Sequence, residues 1–287
     1  MIMITSLMAE TEVGVHHVSV MLLLYRALFL STMLFNSQTW SNLRKKDITE
    51  LRTLQLKYLK RTIGVASSTS NAFTFLELGV LPIEFEIEKR QLLYLHRILQ
   101  LELTDPVSKM FWEMKRLNDA GERNWWSGVE PCLQKYNLPE LSQIKEMSKH
   151  SFCQKVKSAV AETAFGQLVA ECHGLKKTAN LVYESFKLQD YFLNLYPSQA
   201  RIVFKWRSET LDLKTHLTYK YNDVYCRCCK EQTESPQHIV NCGVENKIDC
   251  DLDVLKMENM DDRTRSDLKL MVSRICSFLE RVQSVTG

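Results

Sequence analysis

Glycine and proline are scarce in this chain, nine and six among 287 residues. So few breakers exclude a many-turned β architecture and favour long helices. No series of alternating apolar and polar residues marks out a set of strands. An excess of one charge is also missing: the net charge is only +3, so any nucleic-acid role must come from local patches. The familiar catalytic signatures are absent as well, with no Walker-type loop, no nucleophile elbow and no His-Glu-x-x-His. What is present is ordinary globular material. Apolar residues make up 45% and charged residues 25%, which excludes disorder over the whole length, and the length suits one large domain or two smaller ones.

Nine cysteines raise the possibility of a disulfide framework. The number is odd, the spacing uneven and no cleavable secretory leader is evident. Cys132, Cys153, Cys172 and Cys276 stand alone in helical patterns and read as buried free thiols. The others, Cys226, Cys228, Cys229, Cys242 and Cys250, are clustered, which fits a metal in a reducing compartment. The expected location is intracellular, in nucleus or cytoplasm. One apolar run, Val18 to Phe35, approaches the length of a membrane span. Arg26 at its middle is costly in lipid, so a buried helix of a soluble protein is expected there, with a membrane-anchored protein as the alternative.

The helical signals follow in order. Ile48, Leu51, Leu54, Tyr58, Leu59 and Ile63 recur at helical spacing, with Asp47 as a cap or first-turn acid and Gly64 as a stop. Asn71 is a candidate cap for a helix reaching Leu78 and ended by Gly79. Pro82 opens a long helix, and Asp105–Pro106 starts another that runs out near Gly121. The stretch Arg123 to Pro139 reads as a hinge or short-helix region. Helices are expected over Leu141 to Glu171 and Ala179 to Leu195, broken at Gly174, and one more from Pro197. The tail ends in an amphipathic helix with Leu268, Met271, Val272, Ile275 and Leu279 on one stripe. The fold class is mainly α with a small Cys/His module. The chain divides into residues 1–104, 105–200, 201–250 and 251–287.

The module runs from Tyr225 to Cys242. Two residues separate Cys226 from Cys229, so one tight turn can present both thiolates to a single ion. His238 and Cys242 lie four apart and face the same way from a short helix. Two such pairs give four soft donors for tetrahedral zinc. Cys228 could replace Cys226 or Cys229, and Cys250 could be a late substitute. The remaining histidines, His16, His17, His96, His150, His173 and His216, have no partners at ligand spacing and read as surface or satisfied helix residues.

The order of these features carries a resemblance. The run FLSTMLFNSQTW, a basic helix with LQLKYLKRTIGV, and FTFLELGVLPIEFEIEKRQLLYLHRIL resemble the region after the palm in non-LTR (LINE-type) retrotransposon reverse transcriptases. Asn36 and Gln38 depart from the usual Gly and Glu. ARIVFKWRSETLDLKTHLTYKYND followed by C-x-x-C, His and Cys is similar to the C-terminal segment of the same polyproteins, and the likeness covers roughly Tyr25 to Cys242. It implies a thumb-like helical region over 1–104, a helical connector over 105–200, a basic helix with a zinc-knuckle-like element over 201–250, and a tail helix. It also implies RNA or DNA as partner, with no small-molecule substrate. Arg52, Lys57, Lys60 and Arg61 would contact backbone phosphates, and Arg201, Lys205 and Trp206 would add charge and a stacking surface. Taken singly, these lysines also fit the wet side of an amphipathic helix, and Trp206 fits a core. The family's palm carboxylates lie upstream of the matched region, so no catalytic residue is expected here. Met260-Asp261-Asp262 mimics a polymerase signature but has polar flanks and follows the Cys module, and it reads as a solvated acidic turn. The alternatives are a helical interaction or structural protein stapled by one zinc, and the membrane-anchored protein named above.

Overall fold

The structure is a computed structural model that describes residues 17–41, 43–243 and 262–286. It is mainly helical, with no strand among the described residues beyond an isolated bridge between Tyr225 and Thr233. The helices are α1 (Val18–Leu24), α2 (Lys45–Ile63), α3 (Asn71–Leu78), α4 (Ile83–Leu99), α5 (Pro106–Asp119), α6 (Trp125–Lys135), α7 (Leu141–Glu146), α8 (Lys149–His173), α9 (Pro197–Arg207), α10 (Pro236–Asn241) and α11 (Asp262–Thr286). They fall into two compact units. Unit 1 holds the described residues of Met1–Leu24, Tyr58–Gly79 and Leu168–Gly287, and unit 2 holds Tyr25–Lys57 and Val80–Gln167. The division differs from the four consecutive regions expected, because helices α2 and α8 each run through a boundary.

Local chemistry explains most helix ends. Asp105 accepts from the Val107 amide at 2.8 Å and Pro106 fills the first helical position of α5. Asn124 caps α6 through the Trp126 amide at 2.9 Å. The cap of α3 is Ser70 rather than Asn71: its hydroxyl accepts from the Phe73 amide, while Asn71 is the first helical residue and its Oδ1 accepts from Lys60 Nζ at 2.7 Å. Gly79 ends α3 at φ +56°, where an added Cβ would sit 2.4 Å from the Lys187 carbonyl carbon, so both the turn and the close approach require glycine.

Unit 2 is held by apolar packing. Phe85, Leu92, Leu95, Phe111, Trp126, Val129, Ile144, Phe152 and Val156 form one buried cluster. Phe111 meets Trp126 edge-on at 5.4 Å between ring centroids, the arrangement that the ring quadrupoles favour. Within residues 123–139, read from sequence as hinge or short helix, Trp125–Lys135 form helix α6, and its Trp125, Trp126, Val129 and Cys132 lie in this core. Burial pushes the Cys132 thiol up to about 12, so it stays an inert thiol.

Unit 1 contains a fully buried ionic hub. Glu77 and Arg207 pair at 3.0 Å with both side chains sealed from solvent. Glu77 also accepts from the Tyr183 and Tyr191 hydroxyls, each at 2.6 Å. Nothing in the sequence signalled this hub, since its members are 106 to 130 residues from Glu77. It also accounts for a difference downstream. Residues 179–195 are helical only at Tyr191–Asn194. The Gln189 amide donates to the Glu77 carbonyl, and Tyr183 reaches the Glu77 carboxylate, so tertiary bonds replace the helical ladder there.

The apolar run Val18–Phe35 is α1, a π-helical turn at Tyr25–Leu30 and a final turn at Ser31–Met33. No helix among the described residues is long and apolar enough to cross a membrane.

Candidate metal centre

The Cys/His module, Tyr225 to Cys242, follows the segment that leaves Leu213. Cys226, Cys229, His238 and Cys242 each offer one donor atom, and the four atoms lie within 4.8 Å of one another. The Cys226 and Cys242 sulfurs are 3.7 Å apart. A tetrahedral ion with metal–sulfur bonds of about 2.3 Å sets its sulfurs roughly 3.8 Å apart, whereas a disulfide needs about 2.05 Å. The Cys229 sulfur lies 3.2 Å from His238 Nε2, close to the roughly 3.5 Å that the same geometry asks of a sulfur–nitrogen pair. These four residues form a group that can hold a metal ion. The sequence spacing had singled out the same four. Cys228 lies outside the group, and Cys250 lies outside the described residues.

Each donor is aimed by ordinary local structure. The turn Cys226–Cys229 closes with Lys230 N–H donating to the Cys226 carbonyl at 2.9 Å, and Lys230 takes φ +61° to complete it. The Cys228 amide points at the Cys226 sulfur at 3.4 Å. Amides of Glu231 and Gln232 are directed at the Cys229 thiol and hold it below the ordinary thiol range, which favours the thiolate that a metal requires. On the other arm, Ser235 caps α10 by accepting from the His238 amide at 3.2 Å, and Pro236 sits at its first position. Gln232 Oε1 lies 2.7 Å from His238 Nδ1. With the proton on Nδ1, the Nε2 lone pair is left facing the sulfurs, the orienting arrangement common behind metal-bound imidazoles. Burial lowers the His238 pKa, which likewise favours the neutral ring.

A second set of residues fastens the module to the preceding segment, and sequence reasoning missed it. Glu234 is fully buried. It pairs with Arg227 at 2.7 Å, accepts from the Arg227 amide at 2.9 Å and from the Lys214 amide at 3.2 Å. Arg227 also donates to the Asp212 carbonyl at 2.6 Å. From α11, Arg281 donates to the Cys242 carbonyl at 3.0 Å and Arg274 to the Val240 carbonyl at 3.3 Å, satisfying carbonyls at the end of α10. Arg227 stands between two ligands and Glu234 one residue before the helix cap, but neither position carries a pattern that could have announced its role.

The cations expected to meet phosphates are placed unevenly. Lys57 and Arg61 are exposed. Arg52 pairs with Glu84 at 3.3 Å. Lys60 is buried, and its ammonium donates to the carbonyls of Ser67 and Thr69 and to Asn71 Oδ1, holding the loop between α2 and α3. Arg201 donates to the Ile63 carbonyl at 3.1 Å. Lys205 is half-buried; desolvation and then Arg201 lower its pKa. Trp206 is only 7% exposed, so its ring belongs to the core and is not presented to a base. Met260 and Asp261 lie outside the described residues. Neither protein-family models, curated proteins nor solved structures give a match to this chain.

Proposed function

We propose that this chain is a zinc-stapled helical protein that binds nucleic acid, and that it corresponds to the thumb-to-zinc-knuckle part of a LINE-type reverse transcriptase without a polymerase site of its own. The observation that carries the reading is the four-donor group together with what stands beside it. Three sulfurs and one imidazole nitrogen are a donor set suited to zinc. The segment it fastens turns Tyr219 (84% exposed) and Tyr225 (57% exposed) to solvent, with Lys220 and Lys230 also exposed. Exposed aromatic faces among cations are what stack on unpaired bases while the charges meet phosphates.

A second reading, a helical interaction or structural protein in which the metal is only a staple, rests on one specific observation. Lys214 pairs with Asp223, Lys220 with Asp212 and Arg227 with Glu234, so much of the positive charge in the module and the segment before it is already neutralised. Ionic strength separates the two. The purified chain is expected to carry one zinc by elemental analysis and to bind single-stranded RNA or DNA with an affinity that falls steeply as salt rises. Zinc content with no oligonucleotide binding at low salt would leave the staple reading alone. Primer extension by the purified chain would overturn the assignment of a chain without a polymerase site.

A further inference from the structure

Helices α9, α10 and α11 and the four-donor group all lie within unit 1, and they depend on one another in a definite order. The dependence starts at α10. Its six residues, Pro236–Asn241, are too few for a helix to persist in water on its own. The donors His238 and Cys242 sit within it and at its end, and a shared ion ties both of them to Cys226 and Cys229. The ion thus fixes both the helical state of α10 and its orientation, because its binding free energy becomes folding free energy.

Helix α11 then uses α10 as a platform. It buries Leu268, Met271, Val272, Ile275, Phe278 and Val282 and packs on α9 and α10. Helix α10 contributes two buried aliphatic residues of its own, Ile239 and Val240. Two arginines of α11 reach the far end of α10. Arg274 donates to the Val240 carbonyl at 3.3 Å and to Asn241 Oδ1 at 3.2 Å. Arg281 donates at 3.0 Å to the carbonyl of Cys242, itself one of the four donor residues. Gly243, at φ +68°, leaves room for that guanidinium, since an added Cβ would lie 3.3 Å from Arg281 Nη1. These acceptors stand where the arginines meet them only while α10 is helical and ends at Cys242. Residues 244–261 separate α10 from α11 in the chain, so sequence proximity does not force the contact.

We infer that the metal centre is a switch for the C-terminal helix: an ion in the four-donor group docks α11, and loss of the ion releases α11 from α10. The inference rests on the metal reading above and extends it from a local staple to control of the tail. A staple without this role would leave α11 indifferent to the ion, held by its apolar row on α9. The hydrogen bonds to Val240, Asn241 and Cys242 are what tie it to the ligand segment instead. Coupling of this kind is reciprocal. By whatever factor the ion strengthens the docking of α11, docked α11 strengthens the binding of the ion.

The test uses the full chain, loaded with zinc and then stripped with a chelator, and follows hydrogen exchange peptide by peptide. After stripping, the amides of α11 around Ile275 are expected to exchange at least about fivefold faster, the lower end of ordinary coupling between two sites. Those of α10 should follow, while the amides of α3 around Phe75, in the same unit, keep their protection. In the reciprocal arm, the double variant Arg274→Gln, Arg281→Gln should bind zinc at least about fivefold more weakly in competition with a chromophoric chelator. Lysine at both positions should recover part of the loss, and Leu270→Gln, at an exposed position of the same helix, should bind zinc as the unsubstituted chain does. Exchange in α11 that ignores stripping, or an unaltered zinc affinity in the double variant, overturns the switch and leaves the metal centre standing. Protection lost in α3 as well would show the ion holding unit 1 as a whole, which also overturns a switch confined to the tail. A chain that takes up no zinc overturns the metal reading and the switch with it.

Discussion

Unit 2 and the metal module are stabilised by different means. Unit 2 buries aromatic and aliphatic side chains in one continuous cluster. The module, from Tyr225 to Cys242, buries few large side chains beyond Ile239 and Val240 and instead converges four donors on one point. Hydrophobic burial scales with apolar area, and eighteen residues of mostly polar chain cannot supply enough of it. A bound ion can, because its binding free energy becomes folding free energy. The comparison teaches that one region of the chain rests on buried area, while the other offers four donors that can hold an ion in its place.

The sharpest way to break that contrast is to deny the four donors an ion. Chelation, or Cys229→Ser, withdraws binding free energy on the order of 10 kcal/mol. Amide exchange protection over Cys226–Asn241 should collapse, while the amides of α8 around Phe152 keep theirs. A module that stays protected after chelation would mean that its hydrogen bonds alone suffice. The reciprocal change is Phe152→Ala, which empties a fully buried site in unit 2. It is expected to cost about 3–5 kcal/mol by chemical denaturation, with the amide protection of Cys226–Asn241 unaltered.

A smaller effect concerns the segment before the module. His216 is buried beside Lys177, and burial first, then that ammonium, lowers its pKa to about 4. An ordinary histidine titrates near 6.5, so between those values the unfolded chain binds a proton that the folded chain does not. Stability is therefore complete above about pH 6.5 and declines as the pH falls toward 4, by up to about 3 kcal/mol. Replacing His216 with Gln should flatten this part of the pH profile. An unchanged profile would show that the decline comes from other groups.

The legibility of the sequence varied with the range of the interaction. The helix from Lys45 to Ile63 could be read from its repeat, with Asp47 in its first turn and Gly64 at its end. The tail stripe was also readable, although Phe278 is fully buried where Leu279 had been expected. The ligand set could be read because two short spacings each place a donor pair on one turn. Residues 179–190 were misread as helix, since the bonds that straighten them come from Glu77, over a hundred residues away.

Helix α8 shows the boundary between the two kinds of information. Its buried residues are Phe152, Val156, Val160, Ala164, Leu168 and Cys172, one every fourth position. Four residues advance an α-helix by 400°, so this row winds about 40° around the axis at each step. The face that buries Phe152 is thus not the face that buries Cys172, and the unit boundary falls inside the helix at Gln167–Leu168. The sequence alone set the row, as it set the helices and the four metal donors, because periodicity and close spacing are local. Which cations stay free was decided only in the tertiary structure. Lys60 and Lys149 are the same residue type on similar helices, yet Lys60 is consumed by the carbonyls of its neighbouring loop and Lys149 faces water. A charged side chain takes its partner from whatever the fold brings near.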